Sequence, residues 1–228
     1  MSRQQRPLAM VPAWVWAALA ASLLLQLALH AALRPPRSAG EELPSAPSAA
    51  ALRLAAFGEG AAVARLSMLY LQAFDLRSID YARLTAWLHA ALELDPRSHY
   101  PLFLAARVYA ENPDGERART ALEFVYQQFL LDPNRRWPWL AHGALLAKHR
   151  LKDLSLARRY AAAIDRHTTA QDVPLWARQM EIFILEDMNE LEAARIMIGG
   201  LLASGRIHDA AEQRFLRERL EALEAKRK

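Results

Sequence analysis

Hydrophobic positions fall into two regimes along this chain. From Leu8 to Leu33 there is no Asp, Glu, Lys or Arg, and Gln26 and His30 are the strongest polar interruptions. From residue 49 onward apolar residues recur at three- and four-residue steps, as in Tyr81, Leu84, Trp87, Leu88, Ala91 and Leu92. The first regime predicts a membrane-crossing helix, which needs about 20 apolar residues. The second predicts amphipathic helices, each with one stripe facing a core. Alternating Val/Ile/Thr runs and Asn-Gly turns are missing from the sequence, so the expected fold class is all-α.

These patterns divide the chain into a short basic N-terminus (1–7), a transmembrane anchor (8–33), a Pro/Ala/Ser-rich linker (34–48) and a helical domain (49–228). A cleaved signal peptide is the competing reading of the first segment. Signal peptides carry an apolar core of roughly 7–15 residues before a small-x-small cleavage site. The run here is longer, and Leu29 to Pro36 offers no clean site. Arg3 and Arg6 precede the run while Arg34 and Arg37 follow it, a slight bias toward a cytoplasmic N-terminus. The sequence contains no cysteine, so nothing in it conflicts with an oxidising compartment. The expected location is a bacterial inner membrane, single-pass, with the C-terminal domain in the periplasm.

The helical part repeats. Pro101, Pro138 and Pro174 recur at intervals of 37 and 36 residues, and each is read as opening a helix. Ala-Arg pairs recur at Ala82-Arg83, Ala118-Arg119, Ala157-Arg158 and Ala194-Arg195. Leu94-Asp95-Pro96 returns as Leu131-Asp132-Pro133. Such a period, with two helices in each unit, predicts an α-solenoid of about four hairpins. The hairpins are read as 61–74 with 79–94, 101–111 with 116–131, 137–150 with 154–167, and 173–188 with 191–203. A capping helix follows over 209–228, with Phe215, Leu216, Leu220 and Leu223 facing inward. Ser78 and Asp172 are the expected N-caps and Gly205 the expected stop.

Trp139 with Gly143 four residues on, Ala118, and the two Leu-Asp-Pro endings resemble the tetratricopeptide (TPR) family over roughly residues 61–204. Gln179 departs from that pattern, standing where a small residue is usual. The resemblance implies that the first helices of successive hairpins line a binding groove. With the prolines in one register, equivalent positions carry Tyr100, Trp137 and Val173, then Phe103, Leu140 and Trp176, then Arg107, Ala144 and Met180. The expected partner groove is Tyr100, Phe103, Arg107, Trp137, Leu140 and Trp176, an aromatic strip with one cation suited to an apolar peptide or helix. Rings at helical spacing also fill gaps between repeats, and that reading stays open.

Charge offers a second candidate surface. Residues 134–167 hold eight Arg or Lys against two Asp, although the whole chain has a net charge of only +4. Arg135, Arg136, Lys148, Arg150, Lys152, Arg158 and Arg159 make up the expected basic face, which suits anionic lipid headgroups or an acidic protein; a merely solvated face is the plainer reading.

No sequence motif supports catalysis. Gly-x-Ser-x-Gly, Ser-x-x-Lys and a glycine-rich phosphate loop are all missing, and His142 and His149 have no carboxylate or third histidine at ligand spacing. The expectation is therefore no enzyme, no metal, no cofactor, no small-molecule substrate and no nucleic-acid partner. The chain reads as a membrane-anchored scaffold that binds another envelope protein. The alternative is a periplasmic chaperone or an accessory subunit assisting an envelope enzyme, as in polysaccharide or cytochrome maturation.

Overall fold

A computed structural model describes residues 12–32, 42–75, 78–205 and 207–225. Among them every regular element is a helix and there is no strand. The chain divides into two compact units between Glu41 and Glu42. The first unit holds α1 (Ala13–Ala32), whose apolar stretch covers Ala13–Ala28. Among the described residues no single helix is long and apolar enough to cross a membrane. The expected 8–33 anchor includes residues 8–11 and 33, which lie outside the described residues, as do the N-terminus 1–7 and linker residues 34–41.

The second unit contains α2 (Ala49–Ala55), α3 (Gly60–Leu71), α4 (Tyr81–Leu94), α5 (Tyr100–Arg107), a 3-10 turn (Tyr109–Glu111), α6 (Gly115–Leu131), α7 (Pro133–His149), α8 (Leu154–His167), α9 (Leu175–Arg178), α10 (Met180–Asp187), α11 (Leu191–Ala203) and α12 (Ala210–Ala225). Helices pair in sequence order: α3 with α4, α5 with α6, α7 with α8, α10 with α11. Successive pairs also touch through α4 and α6, α5 and α7, and α8 and α10. One apolar core runs from Leu43 to Ile184, and a smaller one joins Ile182, Leu185, Ala194, Ile198, Leu216 and Leu223. Close approach needs small residues. A Cβ on Gly143 of α7 would sit 3.3 Å from Leu122 and 3.8 Å from Tyr160.

The second helices of the first three pairs start alike. Asp80, Asp114 and Asp153 each turn a carboxylate oxygen back to accept backbone N–H groups of the first turn, at 2.8–3.4 Å. This satisfies donors that a helix start leaves open. Ser78 is therefore not the cap: its hydroxyl donates to the Asp75 carbonyl, and Asp80 takes the role. Asp172 gives way to Pro174 as the residue preceding α9. Gly205 follows α11 with φ +67, a conformation glycine tolerates without strain.

Other boundaries differ from the sequence reading for local reasons. Pro133 occupies the first turn of α7, so the helix begins a turn early and Pro138 lies inside it. The fourth first-helix is broken at Gln179 into α9 and α10. In α12, Leu216 and Leu223 are buried but Phe215 is half exposed, its ring beside Phe183. The last part of the expected linker belongs to the domain. Leu43 is 1% exposed, Arg83 donates to its carbonyl, Trp87 Nε1 donates to that of Pro44, and Ser48 caps α2.

Candidate partner-binding faces

The first helices carry an aromatic strip. Tyr100 and Phe103 lie on α5 with rings stacked at 6.1 Å, and Phe103 meets Trp139 of α7 edge to face at 5.9 Å. Trp139 Nε1 donates to His99 Nδ1 at 3.3 Å. One repeat on, Trp137 meets Trp176 of α9 edge to face at 5.5 Å. Between these pairs opens a hollow of about 450 Å³ bounded by Phe103, Arg107, Trp137, His142, Leu145 and Trp176.

Exposure sorts the expected groove residues. Tyr100, Phe103, Arg107 and Trp176 are exposed and Trp137 half-buried, so five of the six named positions reach the surface. Leu140 does not. It is fully buried in the core, and Ala144, Val173 and Met180 of the expected register are buried too. For Leu140 the cause is Pro138. Pro101 sits in the first turn of α5, whereas Pro138 lies inside α7, so equating the two shifts the alignment by one position. One helical residue is a rotation of about 100°, enough to put Trp139 opposite Phe103 and Leu140 inside. Trp139, His99 and His142 are thus strip residues that the proline register missed.

Arg107 Nη1 approaches His142 Nδ1 at 3.3 Å, which assigns Nδ1 as acceptor and leaves the proton on Nε2. Burial, then the Arg107 charge, pushes the His142 pKa below its ordinary value, so the imidazole is neutral at pH 7. His142 Nε2 is buried and finds no partner among the described residues. The centre of the strip thus combines aromatic walls with one exposed cation.

A second face belongs to the second helices. A hollow of about 890 Å³ opens across α4, α6 and α8, floored by Ala82, Ala86, Phe124, Leu156 and Tyr160. Tyr160 is 1% exposed, and its hydroxyl has no partner among the described residues. Burial raises its pKa and keeps it a neutral donor. The sequence reading missed this hollow. Its visible signal is the run of small residues Ala82, Thr85 and Ala86 on the solvent side of α4.

The expected basic face loses Arg136 to the interior, and four of its other six members pair with acids. Arg136 is buried, with its guanidinium donating to the Gln128 carbonyl, the Gln128 side chain and the Pro96 carbonyl. Arg135 donates to the Arg97 carbonyl and pairs with Asp132. Lys148 pairs with Asp187, Arg158 with Glu181, and Arg159 with Glu123 while lying over the Tyr126 ring. Arg150 and Lys152 remain exposed in the turn between α7 and α8. Three of the positive charges counted over 134–167 are met by acids on α6 and α10, which a local count leaves out. Among the described residues, no three His, Asp or Glu side chains gather as a metal site would require.

Comparison with protein-family models, with curated proteins and with solved structures finds no match to this chain.

Proposed function

We propose that this chain is a single-pass membrane protein of the bacterial envelope whose TPR-like helical solenoid acts as a non-enzymatic scaffold, binding another envelope protein for complex assembly. The observation that carries the reading is the aromatic strip: Tyr100, Phe103, Trp139, Trp137 and Trp176 on successive first helices, with Arg107 between them. Exposed aromatic rings and arginine are the residue types that dominate binding energy at protein interfaces. An apolar helix or extended segment with one acidic residue is the occupant this chemistry suits. The charge-free run from Leu8 to Leu33 and helix α1 support an anchor, which keeps the domain at the membrane and raises its local concentration near membrane partners. The expected partner is a membrane or periplasmic protein, with the solenoid on the periplasmic side.

Within the alternative, a periplasmic chaperone or accessory subunit of an envelope enzyme, one feature favours the chaperone. Helix α12 is held against α10 and α11, through Leu216, Leu223 and the paired Arg219–Glu186 contacts at 2.6–2.8 Å. Helix α12 therefore does not fill the strip.

The test is cross-linking and recovery of partners from detergent-solubilised membranes, comparing the natural chain with a Phe103→Ala, Trp176→Ala variant. A partner lost from the variant, with helicity unchanged, supports the reading. Partners retained in full by the variant overturn the strip as the contact. A reporter active only in the periplasm, fused at the C-terminus, tests the orientation.

A further inference from the structure

The two ends of the helical stack are finished differently. At the C-terminal end, α12 turns Leu216 and Leu223 inward and leaves Arg214, Arg217, Glu218 and Glu221 outward. A polar outer face of this kind is what an end repeat needs for solubility. The N-terminal end exposes large apolar side chains among Arg53, Glu59 and Arg65. Leu54 on α2 is 80% exposed, Phe57 in the following turn 96%, and Leu66 and Leu69 on α3 each 63%. Exposed Ala62 continues the Leu66–Leu69 stripe along α3, while Ala64, Met68 and Leu71 commit the opposite side to the core.

Phe57 adds backbone strain to exposure. Its φ is +46, in the left-handed region that bulky residues avoid, and Gly58 follows at +95. Nothing inside the fold offsets either cost, because the ring is presented and not packed. Observed strain of this kind points toward a functional contact.

The occupant is identified by composition and by chain connectivity. Helices α2 and α3 together have the length and apolar character of a membrane span, but they meet at 111° and one side of α3 is held in the core. Such a pair suits the surface of a bilayer and not a crossing. Tyr70, 42% exposed, is of the residue type that favours the headgroup level. Helix α1 ends at Ala32, and Leu43 is already fixed in the domain. The roughly ten residues between them reach at most about 35 Å. We propose that Leu54, Phe57, Leu66 and Leu69 insert into the headgroup and outer acyl layer of a phospholipid bilayer. This inference rests on the reading of α1 as an anchor.

The cysteine-free sequence allows a clean test with the full chain reconstituted in phosphatidylethanolamine–phosphatidylglycerol vesicles. A single cysteine is introduced by Leu66→Cys, or by Ile196→Cys on α11 as reference, and labelled with an environment-sensitive fluorophore. Flotation with the vesicles reports α1; quenching by spin-labelled lipid reports the patch. The expected result is flotation, with blue-shifted and quenched emission at position 66 but not at 196, and loss of that quenching when Leu54→Asp and Phe57→Asp are added. Flotation with position 66 unquenched overturns the inference and leaves the anchor standing. Blue-shifted emission that grows with protein density, without lipid quenching, assigns the patch to a second copy and also overturns it. A chain that does not float overturns the anchor reading and the inference together.

Discussion

Trp137 of α7 and Trp176 of α9 meet edge to face with ring centroids 5.5 Å apart, one repeat apart in sequence. Trp137 is half-buried and Trp176 is 55% exposed, so the pair is anchored on one side and open on the other. An aromatic pair in this geometry contributes about 0.5–1.5 kcal/mol beyond its buried area. The two rings therefore divide the work: Trp137 joins neighbouring repeats, and Trp176 offers surface.

Truncating them separates the two roles. Trp176→Ala is expected to cost the pair's contribution of about 0.5–1.5 kcal/mol and that of the part of the ring area that is buried, while weakening partner binding by about 2 kcal/mol or more, the range of interface hot spots. Trp137→Ala is expected to lower the melting temperature further, since its ring is packed. Urea denaturation beside partner recovery checks both. Equal loss of stability from the two variants would place Trp176 in the core and remove it from the strip.

Leu140 and Gly143 are predicted to behave as core positions only. Leu140 is fully buried, and Leu→Ala at such sites typically costs about 2–5 kcal/mol. Gly143→Leu would push a side chain into Leu122 and Tyr160, where even a Cβ stands 3.3 Å from Leu122. Both variants should lose melting temperature, and any loss of partner binding should follow the fraction unfolded. A Leu140→Ala protein with unchanged stability would contradict the packing described.

Arg136 is expected to be structural despite its charge. Burial lowers its pKa, but three acceptors hold the guanidinium in place. Removing it leaves buried carbonyls unsatisfied, at about 1–3 kcal/mol for each such group. Arg136→Ala should therefore unfold at clearly lower urea concentration. Arg150→Ala and Lys152→Ala, both in an exposed turn, should stay within about 0.5 kcal/mol of the natural chain. Stability unaltered by Arg136→Ala would restore it to the surface.

The stripe of Tyr81, Leu84, Trp87, Leu88, Ala91 and Leu92 made α4 legible, and all six are buried as a 3.6-residue period requires. The expected segment 154–167 coincides with α8 for the same reason. What sequence hid was decided between elements. Pro133 and Pro138 both suit a helix start, and the backbone uses the first. Ser78 and Asp80 both suit a cap, and only Asp80 faces the first turn of α4. Arg158, Arg159 and Lys148 looked like one basic surface because their acids, Glu181, Glu123 and Asp187, lie on other helices. Pro, Ala and Ser around Leu43 read as a solvated spacer, yet one leucine in the core fixes residues 42–48 to α4. In the strip, the ring types were visible but their register was not, because equating Pro101 with Pro138 misaligns α5 and α7 by one position, a rotation of about 100°.

Asp153 should make stability depend on acid pH. Its carboxylate accepts from Ser155 Oγ at 2.6 Å, from the Leu156 N–H at 2.9 Å and from Arg119 Nη1 at 2.5 Å. These bonds, led by that from Ser155, hold its pKa down from 3.8 to about 2. A folded-state pKa below the unfolded value means the unfolded chain binds the proton first. The stabilisation is therefore complete above about pH 4 and is lost as pH falls toward 2. Its size is about 2 kcal/mol on the scale of 1.36 kcal/mol per pKa unit. Asp153→Asn keeps an oxygen that can cap α8 but removes the charge that Arg119 meets. The variant should be less stable than the natural chain at pH 7, and the difference should shrink as pH falls from 4 to 2. Asp153→Ala also removes the cap, which adds about 1 kcal/mol at every pH. Urea denaturation across this range, compared between the three proteins, reads both effects. Parallel pH profiles for the natural chain and Asp153→Asn would show that the Arg119–Asp153 contact between the second and third hairpins contributes no net stability.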